Sequence, residues 1–256
     1  MRKYGYLIVE GPHDIEFAYR LLSLFGLARV QNKSDLDNFF MSLIPRNYPP
    51  EGDLQKRMPI PLFLQSATHT IALHSAIGDS QLVNVMVENA KMLDQSKIVG
   101  IGILLDTDKN VPALQRYTQI KNELSLKKFI LNDAPGSVSS GSPKLGAFVL
   151  PDNNSAGTLE DLLLDSANHV YPGLLAAAKN YVNAAKSAGL SRKDLKELNK
   201  PAGVNKAIIG AMANILRPGK AMQVSIQDNA WLKGDALSLP RIIAVKQFLQ
   251  TLFDLP

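Results

Sequence analysis

Residues 98–108 read Ile98-Val99-Gly100-Ile101-Gly102-Ile103-Leu104-Leu105-Asp106-Thr107-Asp108. From Ile98 to Leu105 both odd and even positions are apolar or glycine, which a central parallel strand requires because helices cover it above and below. In open parallel sheets the ligand crevice lies beyond the carboxyl ends of the strands, so Asp106 and Asp108 stand where chemistry is expected. Residues two apart in an extended or turning segment project to the same side. Both carboxylates can therefore face one ion, with Thr107 pointing away.

Working outward from this strand, the same grammar repeats. Tyr6 to Val9 is a strand-like run ending in Glu10-Gly11-Pro12, after which Ile15, Ala18, Leu22 and Phe25 recur at helical spacing. Pro12 suits the first helical turn and Gly26 the stop. Ala28 to Thr70 is polar and proline-rich, with Pro45, Pro49, Pro50, Pro59 and Pro61, and reads as an insertion with little regular structure of its own. Ile71 to Ile77 is a second strand, followed by a Gly78-Asp79-Ser80 turn and a helix carrying Leu82, Met86, Ala90 and Leu93. Beyond the central strand, Pro112 opens a helix to about Leu124, Phe129 to Leu131 gives a short strand, Asp133 to Pro143 is a Ser/Gly/Pro loop, and Ala147 to Leu150 is a further strand. Such alternation predicts an α/β fold with a mostly parallel sheet and right-handed crossovers. After Gly157 only helices are expected: Thr158 to Ala167, Gly173 to Ala188, Ser191 to Asn199, Val204 to Leu216 and Leu239 to Leu252. The expected organisation is an α/β domain over 1–157, with its insertion at about 28–70, and a helical C-terminal region over 158–256 packed on it.

The composition narrows the chemistry. The 256 residues, 46% hydrophobic and 20% charged, suit one large or two modest globular domains. No apolar run approaches the roughly 20 residues that cross a bilayer, so no membrane partner is expected. The opening Met1-Arg2-Lys3 is followed by too short an apolar stretch for a secretory signal, which leads to the expectation of a cytoplasmic protein. Zero cysteines exclude disulfides, Cys-ligated zinc, iron–sulfur ligation and thiol catalysis. A net charge of +5 tips the balance towards a polyanionic partner.

Glu10 follows the first strand, Asp14 lies one helical turn beyond it, and Asp106 and Asp108 follow the central strand. If those strands are neighbours, the carboxylates converge and repel one another unless a cation neutralises them. Hard oxygen ligands without cysteine suit Mg²⁺ or Mn²⁺. Such an ion can bridge phosphate oxygens, stabilise an in-line displacement and activate water, with Glu10 as ligand or proton shuttle. Each acid also has an ordinary reading. Asp108 can cap the next helix, an Asp after a strand often makes a turn, and Glu10 can be solvated.

Val9-Glu10-Gly11-Pro12-His13-Asp14, the Gly78 turn and Leu105-Asp106-Thr107-Asp108 together resemble the TOPRIM domain of topoisomerases and primases, over about residues 4–131. The resemblance implies a compact Rossmann-like parallel sheet whose Glu10, Asp106 and Asp108 handle Mg²⁺ during phosphoryl transfer on nucleic acid. Phe148-Val149-Leu150-Pro151 followed by Gly157-Thr158-Leu159-Glu160-Asp161-Leu162-Leu163 is similar to small stand-alone prokaryotic TOPRIM proteins and, more distantly, to the nuclease half of OLD-type ATPase-nucleases. That similarity places Asp14 and Glu160 at a second metal and suggests Lys206, in Asn205-Lys206-Ala207, as an assisting basic residue. The ordinary reading of Thr158-Leu159-Glu160-Asp161 is a capping box, which leaves Glu160 free to face the crevice. A Walker A sequence is absent, so ATP-driven action in this chain is not expected.

The expected function is a Mg²⁺-dependent nuclease, DNA being favoured over RNA. One alternative is a non-catalytic module holding metal, nucleotide or nucleic acid. A more distant one is a haloacid-dehalogenase-type phosphatase, from which the chain departs at Asn110 and by carrying Asp-x-Asp on a later strand. A homodimer and a protein partner are both compatible with the sequence. His69 and His74 have poor spacing for a metal site, and His13, beside the acidic turn, reads as a solvent-exposed histidine with phosphate contact as the alternative. Lys186, Arg192, Lys193, Lys196, Lys200 and Lys206 make 186–206 the most basic stretch, readable as a solvated face or a phosphate contact. Trp231, Phe248 and Phe253 read most simply as core or interface anchors.

Overall fold

A computed structural model describes residues 2–47, 60–107 and 111–256. Asp108, Asn110 and residues 48–59 of the insertion, with Pro49, Pro50 and Pro59, lie outside the described residues. The chain forms two compact units: Met1–Leu105, Tyr117–Phe148 and Phe248–Pro256 make the first, and Asp106–Arg116 and Val149–Gln247 the second.

The fold is α/β with a largely parallel sheet and helices at the C-terminus. Among the described residues six strands, β1 (Lys3–Val9), β2 (Ala28–Arg29), β3 (Leu62–Gln65), β4 (His69–Ser75), β5 (Ile98–Asp106) and β6 (Lys144–Leu150), lie in the order β2-β3-β4-β1-β5-β6. β1 is parallel to both β4 and β5, with Val9 opposite Ser75 on one side and Leu104 on the other. The first and central strands are thus neighbours, as the acidic arrangement requires. Tyr6, Leu7, Ile8, Val9, Ile101, Ile103 and Leu104 are fully buried, so both faces are covered. α1 (Pro12–Leu22) packs against β4, and α2 (Leu82–Met92) against β1.

One face of the sheet is cut low by glycine. Gly5 on β1 pairs with Gly100 on β5, and Gly102 lies two residues farther along. The end of α9 (Pro240–Phe253) fills this depression: a Cβ on Gly100 would stand 2.2 Å from the carbonyl oxygen of Leu252, and one on Gly5 2.5 Å from the Phe253 ring. Phe248 and Phe253 are therefore core, each contributing about 1.5–3 kcal/mol of burial. Asp254 fastens the end by ion pairs with Lys144 and, at 3.4 Å, with Lys3.

In the second unit α7 (Gly203–Leu216) packs on α4 (Leu159–Val170), α5 (Pro172–Lys186) and α8 (Met222–Asp228). Trp231 is completely buried, its indole N–H donating to Ser225 Oγ at 2.9 Å and its ring meeting Tyr171 edge-on at 5.7 Å.

Three expectations need correction. The 28–70 segment contributes strands β2 and β3, which run antiparallel to each other and attach through β3 to β4. The short apolar run Leu62-Phe63-Leu64 suffices for a four-residue strand between β2 and β4, and its proline-rich surroundings masked it. No strand forms at Phe129 to Leu131, although both side chains are buried. The Phe129 N–H closes the end of α3 (Ala113–Leu126) on the Leu124 carbonyl at 3.0 Å, and the Asn132 carbonyl accepts from the Tyr117 hydroxyl at 2.7 Å, so the backbone is committed elsewhere. Finally, α8 forms where the sequence shows no helix. Its seven residues bury only Ser225 and Ile226, too few for a visible stripe.

Candidate functional site

The second unit brings Asp106, the last residue of β5, to the start of α4. The Leu159 N–H donates to Asp106 Oδ1 at 2.9 Å. This satisfies one of the four N–H groups that the first helical turn leaves open. Thr107, 2% exposed, staples the strand end to the chain before α4. Its N–H and hydroxyl both donate to the Gly157 carbonyl, at 3.1 and 3.0 Å, while Oγ1 accepts from the Gly157 N–H at 2.5 Å. Gly157 has no room for a side chain, since a Cβ would meet Asp161 Oδ2 at 2.7 Å and Pro151 Cδ at 3.1 Å.

Thr158 and Asp161 form the expected box, the Thr158 N–H donating to Asp161 Oδ2 at 2.8 Å. The other Asp161 oxygen accepts from Asn205 Nδ2 at 2.8 Å, tying α7 to the same turn. Between these fixed points lies Glu160. It is 4% exposed, and its Oε2 has no hydrogen-bond partner among the described residues. An ionised carboxylate oxygen buried without a partner costs several kcal/mol. A cation bound there would relieve that cost. The positive end of α4 eases the charge of Asp106, Glu160 and Asp161 by about 0.3–1 kcal/mol each, which falls short of that cost.

Lys206, one residue beyond Asn205, is exposed on α7 and lines a cleft of about 840 Å³ together with Glu197, Lys200 and Val111. Lys200 is paired with Glu197. The other cations predicted around 186–206 are largely on α6 (Arg192–Leu198), whose described residues are mostly exposed.

Glu10 and Asp14 belong to the first unit. Glu10 directly follows β1, and its carbonyl is held from β4 and the turn after it by the Ser75 hydroxyl and the Gly78 N–H, both at 3.2 Å. Asp14 is 8% exposed and accepts from the Gly11 N–H through Oδ2 at 2.9 Å, so it serves as the box residue at the start of α1. Among the described residues no group of three or more His, Asp or Glu is placed to hold a metal ion. His74 makes hydrogen bonds to Tyr6 at 2.7 Å and Asn89 at 3.1 Å. Burial pushes the Tyr6 phenol well above its ordinary value.

In the sequence alone, Gly157 and Asn205 carry no positioning role. The box pattern flagged Asp161, but no periodicity could say that Asn205 would reach it.

The family model described as "Protein of unknown function (DUF3226)" matches residues 4–254. The chain belongs to this DUF3226 family. No curated protein matches it. Among solved structures, the DUF3226 chain is similar to the hypothetical protein PH0156 from Pyrococcus horikoshii OT3, with 15% identity and a TM-score of 0.49 over 98% of this chain and 95% of that one. No described helix is long and apolar enough to cross a membrane.

Proposed function

We propose that this DUF3226 protein is a cytoplasmic TOPRIM-like nuclease that hydrolyses phosphodiesters in nucleic acid, preferentially DNA, with Mg²⁺ or Mn²⁺. The observation that carries the reading is the unpartnered, buried Oε2 of Glu160 on the helical turn that Asp106 caps. The donor set fits the ion: it is all oxygen, hard and anionic. By the TOPRIM resemblance Glu10, Asp106 and Asp108 would hold one ion, and Asp14 and Glu160 would help to hold a second. Bound there, the metal would supply an activated water and a clamp on the phosphate oxygens.

The chain's own residues have separable tasks. Thr107 and Gly157 fix the backbone that carries Asp106. Asp161 and Asn205 fix the first turn of α4, which sets the Glu160 carboxylate. Glu10 would exchange a proton with the attacking water or leaving oxygen. Lys206 would meet a non-bridging phosphate oxygen, and the exposed cations of α6 would hold flanking phosphates, making binding fall with salt.

The test is cleavage of plasmid DNA, single-stranded DNA and RNA in Mg²⁺ or Mn²⁺ by wild type, Glu10→Gln, Asp106→Asn and Glu160→Gln. Loss of at least about 100-fold in each variant supports the assignment. Cleavage unchanged by all three substitutions refutes it. Metal binding without cleavage of any substrate replaces it with the non-catalytic module.

A further inference from the structure

At the amino end of β5, the first unit holds a second polar cleft, of about 580 Å³. It is built from the end of α2, the chain after α3 and the loop before β6. Lys91, Lys127 and Lys128 line it together with Ser139, Ser140 and Ser142, and among the described residues no carboxylate does. We propose that this cleft binds a phosphate group carried by a nucleotide or a nucleic-acid strand.

The charge there is not compensated locally. Two acids that neighbour its lining residues in sequence are engaged elsewhere: Asp94 pairs with Lys97 at 3.4 Å and Asp133 with Lys121 at 2.5 Å. Glu88 and Glu123 lie one helical turn before Lys91 and Lys127 but make no ion pair with them among the described residues. Three exposed ammonium groups around one concavity repel one another, and an anion with several acceptor oxygens relieves that repulsion. The serines complement them. Ser139 Oγ accepts from the Leu145 N–H at 2.8 Å, which leaves its own hydroxyl hydrogen to donate. Gly141 adds backbone beside Ser140 and Ser142 on the same wall.

Lys128 supplies an independent argument. It occupies the residue just past the α3 cap with φ 69, where its N–H donates to the Ser125 carbonyl and that of Phe129 to the Leu124 carbonyl, both at 3.0 Å. This is the helix-ending motif in which glycine is the usual occupant, because a Cβ is strained in the left-handed region. A lysine there sacrifices stability, and the cleft gives it a use. The exposed Ile130 beside it offers an apolar surface for a base or sugar.

The experiment is calorimetric titration of the full chain in EDTA, which silences any metal-dependent step at the acids. The probes are inorganic phosphate, a nucleoside 5′-monophosphate and a 5′-phosphorylated single-stranded hexanucleotide, tested on wild type, Lys128→Gly, and Lys127→Ala with Lys128→Ala. Saturable binding is expected, weakened about tenfold or more in both variants, while Lys128→Gly melts at a higher temperature than wild type. A protein that gains stability and loses affinity has not misfolded. Binding of all three probes assigns selectivity to the phosphate itself, and binding of the hexanucleotide alone assigns it to a strand end. Both support the proposal. Absence of binding to every probe, or equal affinity in wild type and both variants, overturns it whatever the outcome of the cleavage assays.

Discussion

The Leu159 N–H and the Asp106 carboxylate meet at 2.9 Å, joining the end of β5 to the first turn of α4. Asp106 is therefore a cap as well as a candidate ligand, and substitutions separate the two. Asp106→Asn keeps an acceptor oxygen and removes the charge. Asp106→Ala leaves the Leu159 N–H without its partner. Urea denaturation should show Asn close to wild type and Ala less stable by about 1–3 kcal/mol, with metal-dependent cleavage lost in both. Equal stability of Asn and Ala would show that the bond is not structural.

The glycine-lined face makes a packing prediction. Gly100→Ala puts a methyl group into the backbone of Leu252, which cannot rotate aside. Overpacking of this kind costs about 1–3 kcal/mol. Alanine at Gly173, where a Cβ meets nothing within 4 Å, is the matched control and should cost much less. Comparable denaturation midpoints for the two variants would contradict the close approach of α9.

The sheet was legible in the sequence because strands buried on both faces leave an unmistakable apolar run, as at 98–105, and because β1 and β4 end in glycine turns. The two short antiparallel strands were less so: β2 has two residues and β3 four, too few for periodicity to rise above proline-rich surroundings. Of the candidate site, the acids were visible as residues after strands. The scaffold that positions them was not. Thr107 to Gly157 and Asn205 to Asp161 span 50 and 44 positions in the chain, and contacts at such separations carry no local signature. The resemblance to TOPRIM supplied Glu160, whereas its burial with an unpartnered oxygen is a property of the folded chain.

His69 makes stability depend on pH. Burial, and then the Lys3 ammonium, pull its imidazole below the ordinary value of 6.5, outweighing the Phe253 and Asp254 carbonyls and the Asp254 charge. The folded state thus favours the neutral ring. Its contribution is fully present above the unfolded value and is lost as pH falls through the depressed one. Thermal melts from pH 7.5 down to 5 should show falling stability, with the slope reduced in His69→Gln. Asp254, held low chiefly by Lys144, acts only at more acidic pH, below its ordinary 3.8. An unchanged slope in His69→Gln would remove His69 as the cause.

The central claim is that the oxygens at the end of β5 and the start of α4 hold a divalent cation, and a titration with Mn²⁺ followed by electron paramagnetic resonance of the free ion tests it most directly. Wild type should take up Mn²⁺ saturably and in competition with Mg²⁺. Glu160→Gln and Asp106→Asn, folded by circular dichroism, should lose at least one bound ion or weaken it by about tenfold or more. Uptake in both variants indistinguishable from wild type, or no uptake by wild type at all, would contradict the account.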